Sequence, residues 1–223
     1  MIENLNSFLE KISTEHYYNI NKPWGEKTIE DARSKMEGKD IIIVGNSKNI
    51  LRRKYGELID SHDCVIRFNL GFNTPERYIH LGEKTDIWII NWGYGIKRTR
   101  KKYNSGYRFF KDRADLYLFL ASWRNHTVSK DFAKKCYMDN LDNFIDITRE
   151  VGEKPSSGLL AINFIMKNIN FKSLSIVGFD FNRSKTSLSG WPKGYKCPYN
   201  ALGKEELYIR KFIEDGVIRF YPV

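Results

Sequence analysis

Four consecutive β-branched residues, Ile41, Ile42, Ile43 and Val44, stand between Asp40 and Gly45. The run is too short for a buried helix and carries no polar residue at alternate positions. It therefore predicts a strand buried on both faces, as in a parallel sheet covered by helices. Gly45, Asn46 and Ser47 fall at its carboxyl end. In an open α/β sheet ligands bind in the crevice outside the carboxyl ends of the strands, which makes these three residues the first candidates for a binding site. A second strand is expected at Val65 to Phe68, ending in Asn69. Two strands would each deliver an asparagine to one sheet edge, where a side-chain amide donates to phosphate oxygens without adding charge. The glycine spacing matches neither the dinucleotide fingerprint nor the Walker A loop.

Further along, Thr28 to Met36 and Asn49 to Ile59 predict helices, and Lys84 to Asn91 and Leu116 to Ala121 predict strands. Residues 129–150 read as mostly helical. Pro155, Ser156, Ser157 and Gly158 open an apolar stretch to Met166, a capped and buried helix whose first-turn N–H groups suit an anion. The strand Leu174 to Val177 follows and ends in Gly178, Phe179 and Asp180. A helix to Asp215 and a strand from Gly216 to Tyr221 close the chain. Alternation of strands and helices predicts one α/β domain over residues 1–223, with an N-terminal helical segment at 1–36 and the core at 37–223. Ile2, Leu5, Phe8, Leu9 and Ile12 give that segment one apolar helix face.

With 223 residues and 41% hydrophobic content the chain can bury a full core without disulfides. Cys64, Cys136 and Cys197 lack metal-ligand spacing and read as free thiols, so a reducing, cytoplasmic setting is expected, with neither signal peptide nor membrane anchor. The net charge of +10 favours an anionic partner. It concentrates in Lys97–Arg113, where eight basic residues face one acid, Asp112, and Tyr103, Tyr107, Phe109 and Phe110 interleave. Basic groups neutralise phosphates or carboxylates while rings stack on bases or sugars, so this stretch is expected to grip a polyanionic acceptor, DNA or an acidic glycan.

Ile43-Val-Gly-Asn-Ser-Lys-Asn-Ile-Leu51, Tyr55-Gly and Ile59-Asp-Ser-His-Asp-Cys-Val-Ile-Arg-Phe-Asn69 together resemble the large sialylmotif of family 29 sialyltransferases. Pro155-Ser-Ser-Gly, the apolar helix and Ile176-Val-Gly-Phe resemble the small sialylmotif, in the right order. The resemblance implies a Rossmann-like, mostly parallel twisted sheet flanked by helices. It also implies a nucleotide-sugar donor of the CMP-sialic acid type and inverting transfer of the sugar to an acceptor hydroxyl. Asn46 and Asn69 would contact the donor, with Gly45 and Ser47 beside them, and Ser156, Ser157 and Gly158 would line its nucleotide. No metal or other cofactor is expected, because the chain has no Asp-x-Asp pair to hold an ion on a diphosphate.

The later family motifs contain a histidine among aromatics and a second histidine followed five residues on by a glutamate. Here Cys197 or a neighbour stands near the first, Asn200 stands at the second, and Glu205 is retained. An amide cannot accept the acceptor hydroxyl's proton, so the base must lie elsewhere. Asp180, His126 and Glu205 are the candidates, Asp180 and His126 because they fall at or just beyond strand ends. The alternatives are a DNA glycosyltransferase acting on hydroxymethylated bases and a binding module that has lost catalysis. If Lys97–Arg113 grips a polyanion, replacing Arg100, Lys101 and Lys102 by Ala should flatten the salt dependence of acceptor binding. Each lost contact to duplex DNA would remove a slope of about 0.9 in log affinity against log salt, measured by titration at several salt concentrations.

Overall fold

The computed structural model describes residues 25–69, 75–90, 112–120, 130–139, 142–152, 155–181 and 202–223. Helix α1 (Ile29–Met36) starts at Thr28, whose hydroxyl accepts from Asp31 N–H while the Asp31 carboxylate accepts from Thr28 N–H, a reciprocal cap. Strand β1 (Asp40–Val44) follows, then a 3₁₀ turn (Lys48–Arg52), α2 (Gly56–Asp60) and β2 (Cys64–Phe68). Next come α3 (Tyr78–Leu81), β3 (Ile87–Ile89), β4 (Leu116–Phe119), α4 (Lys130–Ala133) and β5 (Cys136–Met138). The chain ends with α5 (Asp142–Val151), α6 (Ser157–Asn168), β6 (Ser173–Val177), α7 (Leu202–Glu214) and β7 (Ile218–Tyr221).

Seven strands form one sheet among the described residues, in the order β5-β4-β3-β2-β1-β6-β7, and every neighbouring pair is parallel. From β1 the chain works outward to β5, then returns to the opposite side of β1 for β6 and β7. That reversal puts the topological switch point between β1 and β6. Both faces are covered, which is why the β1 run is apolar without alternation. Ile41 and Ile43 pack with Ala32 and Met36 of α1, Phe144 and Ile147 of α5, and Leu160 and Phe164 of α6. Ile42 and Val44 turn to the other face, against Ile50, Ile59 and Leu81. Farther out on the sheet, Trp88, Tyr117 and Phe119 surround Phe132 of α4.

A buried cation fixes β2. Arg67 is 2% exposed, and its guanidinium donates to Leu81 O at 2.6 Å, Lys84 O at 2.9 and 3.0 Å and Thr85 Oγ1 at 2.9 Å. Burial lowers its pKa to about 10, with Asp60 and Asp86 pulling the other way, so the group stays charged at neutral pH and ties the α3–β3 connection to the sheet. His62, 3% exposed, is likewise structural: Nδ1 donates to Leu58 O at 2.8 Å and Nε2 faces Ser175 Oγ at 3.1 Å.

The α/β class and parallel sheet agree with the sequence, and three local expectations change. Asn49 to Ile59 is two short helical pieces, because the backbone extends at Arg53, where the N–H closes the 3₁₀ turn on Ile50 O. Residues 129–150 contain strand β5, which pairs Tyr117, Leu118 and Phe119 with Cys136, Tyr137 and Met138, so sheet pairing overrides the helical pattern there. The expected strand at 84–91 shortens to Ile87–Ile89. The apolar face at residues 2–12 lies outside the described residues. Cys64 and Cys136 are free and buried, and burial pushes the Cys64 thiol up to about 12; Cys197 lies outside the described residues. No helix among the described residues is long and apolar enough to cross a membrane.

Gly178 carries φ 74°, and a Cβ there would lie 2.7 Å from Gly45 O. Gly178→Ala is expected to destabilise the fold by at least ~2 kcal/mol, read as a lower urea midpoint with unchanged slope.

Candidate functional site

The polar residues expected at the sheet edge converge on the switch point. Gly45 N–H donates to Val177 O at 2.7 Å and Ser47 N–H to Gly178 O at 3.0 Å, so the ends of β1 and β6 continue as paired backbone. A side chain on Gly45 would collide with Gly178 O, which explains a glycine at each position. Ser47, 5% exposed, donates its hydroxyl proton to Asp180 Oδ2 at 2.8 Å and accepts from Asn49 N–H at 3.2 Å. The serine of the first motif is thereby bonded to the aspartate that follows the second.

Asn46 spends one amide N–H on Phe68 O at 3.3 Å, bridging β1 to β2. Among the described residues its second N–H and its amide oxygen are left for a ligand. Asn69 adopts φ 44°, a left-handed conformation that asparagine tolerates, with its N–H on Ile89 O at 2.8 Å and its carbonyl accepting from Trp88 Nε1 at 2.8 Å. Phe181, at φ 49°, is the other non-glycine residue with positive φ among the described residues. A bulky residue there is strained, and both outliers lie beyond the carboxyl end of a strand, Asn69 after β2 and Phe181 after β6.

At the start of α6, Ser156 Oγ accepts from Leu159 N–H at 3.2 Å and Ser156 O accepts from Leu160 N–H at 3.0 Å. The N–H of Ser156 itself donates to Glu205 Oε1 at 2.6 Å, and Glu205 is only 4% exposed. This narrows the anion-binding expectation for the helix start, since two of its N–H groups are already used and a buried carboxylate would repel a phosphate placed against them. Gly158 has a packing reason of its own: a Cβ there would meet Phe179 Cε1 at 2.5 Å.

Phe179, the last residue of the small-motif match, had no role assigned from sequence and acquires one from packing. Its ring lies over Gly158 and Gly45 and meets the Phe68 ring edge-on with centroids 6.4 Å apart, so it joins α6, β1 and β2. The sequence signal was the pair of motif glycines, each lacking a side chain where the same ring sits. Gly45, Asn46, Ser47, Asp180, Gly158, Ser156 and Glu205 are thus joined through hydrogen bonds and the Phe179 ring at the carboxyl ends of β1 and β6 and the start of α6, with Asn69 at the end of neighbouring β2 and Ser157 in the first turn of α6. His126 and Asn200, and all of Lys97–Arg113 except Asp112 and Arg113, lie outside the described residues. Arg113 Nη1 donates to Tyr78 OH at 3.2 Å. Among the described residues no group of three or more His, Cys, Asp or Glu is placed to hold a metal ion.

Fold and crevice define a Rossmann-like α/β domain with a polar site at its switch point. The chain belongs to glycosyltransferase family 29 (sialyltransferase), whose sequence profile matches residues 4–143, a span that includes the large motif and stops before the small one. Over 49 residues it is 45% identical to the Arabidopsis thaliana beta-1,6-galactosyltransferase GALT29A, a match covering 22% of this chain and 12% of that protein. A crystal structure of a mammalian sialyltransferase superposes with a TM-score of 0.61 at 16% identity, covering 98% of this chain and 79% of the other. A second, of a mammalian sialyltransferase in complex with Gal-beta-1-3GalNAc-ortho-nitrophenol, gives a TM-score of 0.59 at 16% identity and the same coverage. At that identity the likeness shows the fold, and the architecture expected from the two motifs is the one present.

Because Phe179 fills the space over Gly158, Gly158→Ala should cost ~1–3 kcal/mol in thermal unfolding through overpacking. Adding Phe179→Leu should recover most of the loss, and a double-mutant cycle with no coupling between the two sites would refute the contact.

Proposed function

We propose that this domain transfers a sugar from a nucleotide-sugar donor to a hydroxyl of a glycan acceptor, with inversion at the anomeric carbon. The observation that carries the reading is the 2.8 Å bond from Ser47 to Asp180, which joins the two motif regions at the β1–β6 switch point. In this scheme Asn46 and Asn69 donate to the donor's phosphate, and Ser156, Ser157 and Gly158 line its nucleotide. The side-chain amides hydrogen-bond the phosphate oxygens without adding charge, and they sit at the β1 and β2 ends, away from the Ser156 N–H that the Glu205 carboxylate already occupies. The nucleotide is taken to be CMP, as the motif resemblance implies. UDP-galactose is the second donor to test, because the Arabidopsis relative is named for galactose transfer.

Transfer begins as the acceptor hydroxyl oxygen attacks the anomeric carbon on the face opposite the nucleotide. The bond from that carbon to the phosphate oxygen breaks, and the nucleotide leaves with the electron pair. The hydroxyl proton passes to a base, a role we assign to Asp180. Its carboxylate lies at the strand-end crevice, partly exposed, and the Ser47 hydroxyl orients one oxygen. His126 is the alternative base. The family assignment favours a glycan over DNA as acceptor, with Lys97–Arg113 as the stretch that would meet an acidic glycan. No metal is required in this scheme.

Thermal shift against CMP-sialic acid and UDP-galactose should reveal the donor, since binding at 100 times the dissociation constant adds ~2.7 kcal/mol to stability. With that donor, Asp180→Asn is expected to lower kcat by roughly 10²–10⁴-fold while keeping the bond to Ser47. Asn46→Ala and Asn69→Ala should mainly raise the donor KM. Full activity of Asp180→Asn would remove Asp180 as the base, and EDTA inhibition reversed by a divalent metal would overturn the metal-free scheme.

A further inference from the structure

Among the residues around the crevice, Glu205 makes a bond that a proton acceptor would be poorly served by. It sits in the first turn of α7, with Gly203 and Lys204 exposed beside it and its own side chain 4% exposed. Burying a carboxylate is costly unless it is hydrogen-bonded. Here Oε1 accepts from Ser156 N–H at 2.6 Å, across 49 positions of sequence, at the short end for a charge-assisted bond. The acceptor charge also lies at the positive end of α6, which adds to the attraction.

We propose that Glu205 is a positioning residue: its carboxylate clasps Ser156 and so sets the start of α6 against the donor crevice, while another group takes the acceptor proton. The inference rests on the donor site proposed above. Its geometry runs outward from that one bond. Ser156 continues the cap onto Leu159 N–H at 3.2 Å, and two residues on, Gly158 lies under the Phe179 ring. That ring touches the Gly45 position and Phe68, the residues next to Asn46 and Asn69. A displacement at Ser156 is therefore carried by packed atoms toward both asparagines. A base, moreover, takes a proton in every turnover. A protonated Glu205 would give up the charge that holds Ser156, loosening the helix start at the moment of reaction.

Glu205→Gln keeps a carbonyl oxygen for Ser156 and removes the proton acceptor, whereas Glu205→Leu removes both. Amide hydrogen exchange read by NMR needs no ligand: Ser156 should exchange about tenfold faster or more in Glu205→Leu and within about threefold of wild type in Glu205→Gln. Donor hydrolysis with CMP-sialic acid or UDP-galactose supplies the second readout. Glu205→Gln should lose less than about tenfold in kcat and keep the acidic limb of its pH profile, and Glu205→Leu should raise the donor KM more than it lowers kcat. A loss of roughly 100-fold or more in kcat for Glu205→Gln, with that limb abolished, would make Glu205 the base and overturn the proposal. Unchanged Ser156 exchange in Glu205→Leu would overturn it too. Should Glu205→Leu not fold, Glu205→Asp, one methylene short, takes its place with the same expected direction. If the wild type turns over neither donor, the proposed function loses its support and Ser156 exchange alone decides for or against the clasp.

Discussion

Where β1 and β6 leave the sheet, their backbones run so close that neither Gly45 nor Gly178 has room for a Cβ. Two backbone hydrogen bonds, Gly45 N–H to Val177 O and Ser47 N–H to Gly178 O, hold the approach. Everything around the candidate site depends on this juncture. It brings Ser47 within bonding distance of Asp180, sets Asn46 across from Phe68 O, and lets Phe179 settle against Gly158. A wider separation would leave the same polar residues on the same edge without contact between the two halves of the domain.

The rest of the fold secures that juncture by burying what flanks it. Strand β1 lies between β2 and β6 with helices on both faces, so its four apolar side chains are fully covered and cannot shift register without exposing them. Arg67 and His62 spend their polar groups on nearby backbone and Ser175, and they brace the strands from within. At the opposite side of the crevice, Glu205 reaches from α7 to the first residue before α6. Two carboxylates thus border the site with different surroundings. Asp180 is partly exposed and held by a hydroxyl, while Glu205 is buried and held by a backbone amide. Environment distinguishes the two where residue type does not.

Much of the fold was legible because its signals are local. A β-branched run bounded by glycine gave β1, and Pro155 with Ser156 marked the start of a helix that proves buried from Leu159 to Ile165. Strand β5 was not legible, since Cys136, Tyr137 and Met138 acquire extended structure from pairing with β4. The split of Asn49 to Ile59 into two pieces escaped notice for a related reason. The backbone at Arg53 is extended although no proline or glycine marks the break there.

The sequence by itself determined the class of the domain, the parallel arrangement and the identity of the edge residues, because hydrophobic period, strand-end glycines and the two motifs are written in consecutive positions. Only the tertiary structure decided how those edge residues are used. Ser47 and Asp180 are 133 positions apart and Ser156 and Glu205 are 49 apart, and no local pattern encodes which hydroxyl meets which carboxylate. The packing of β1 against β6 and of α7 against α6 settles it, since hydrogen bonds form only where buried surfaces have already brought the groups within about 3 Å.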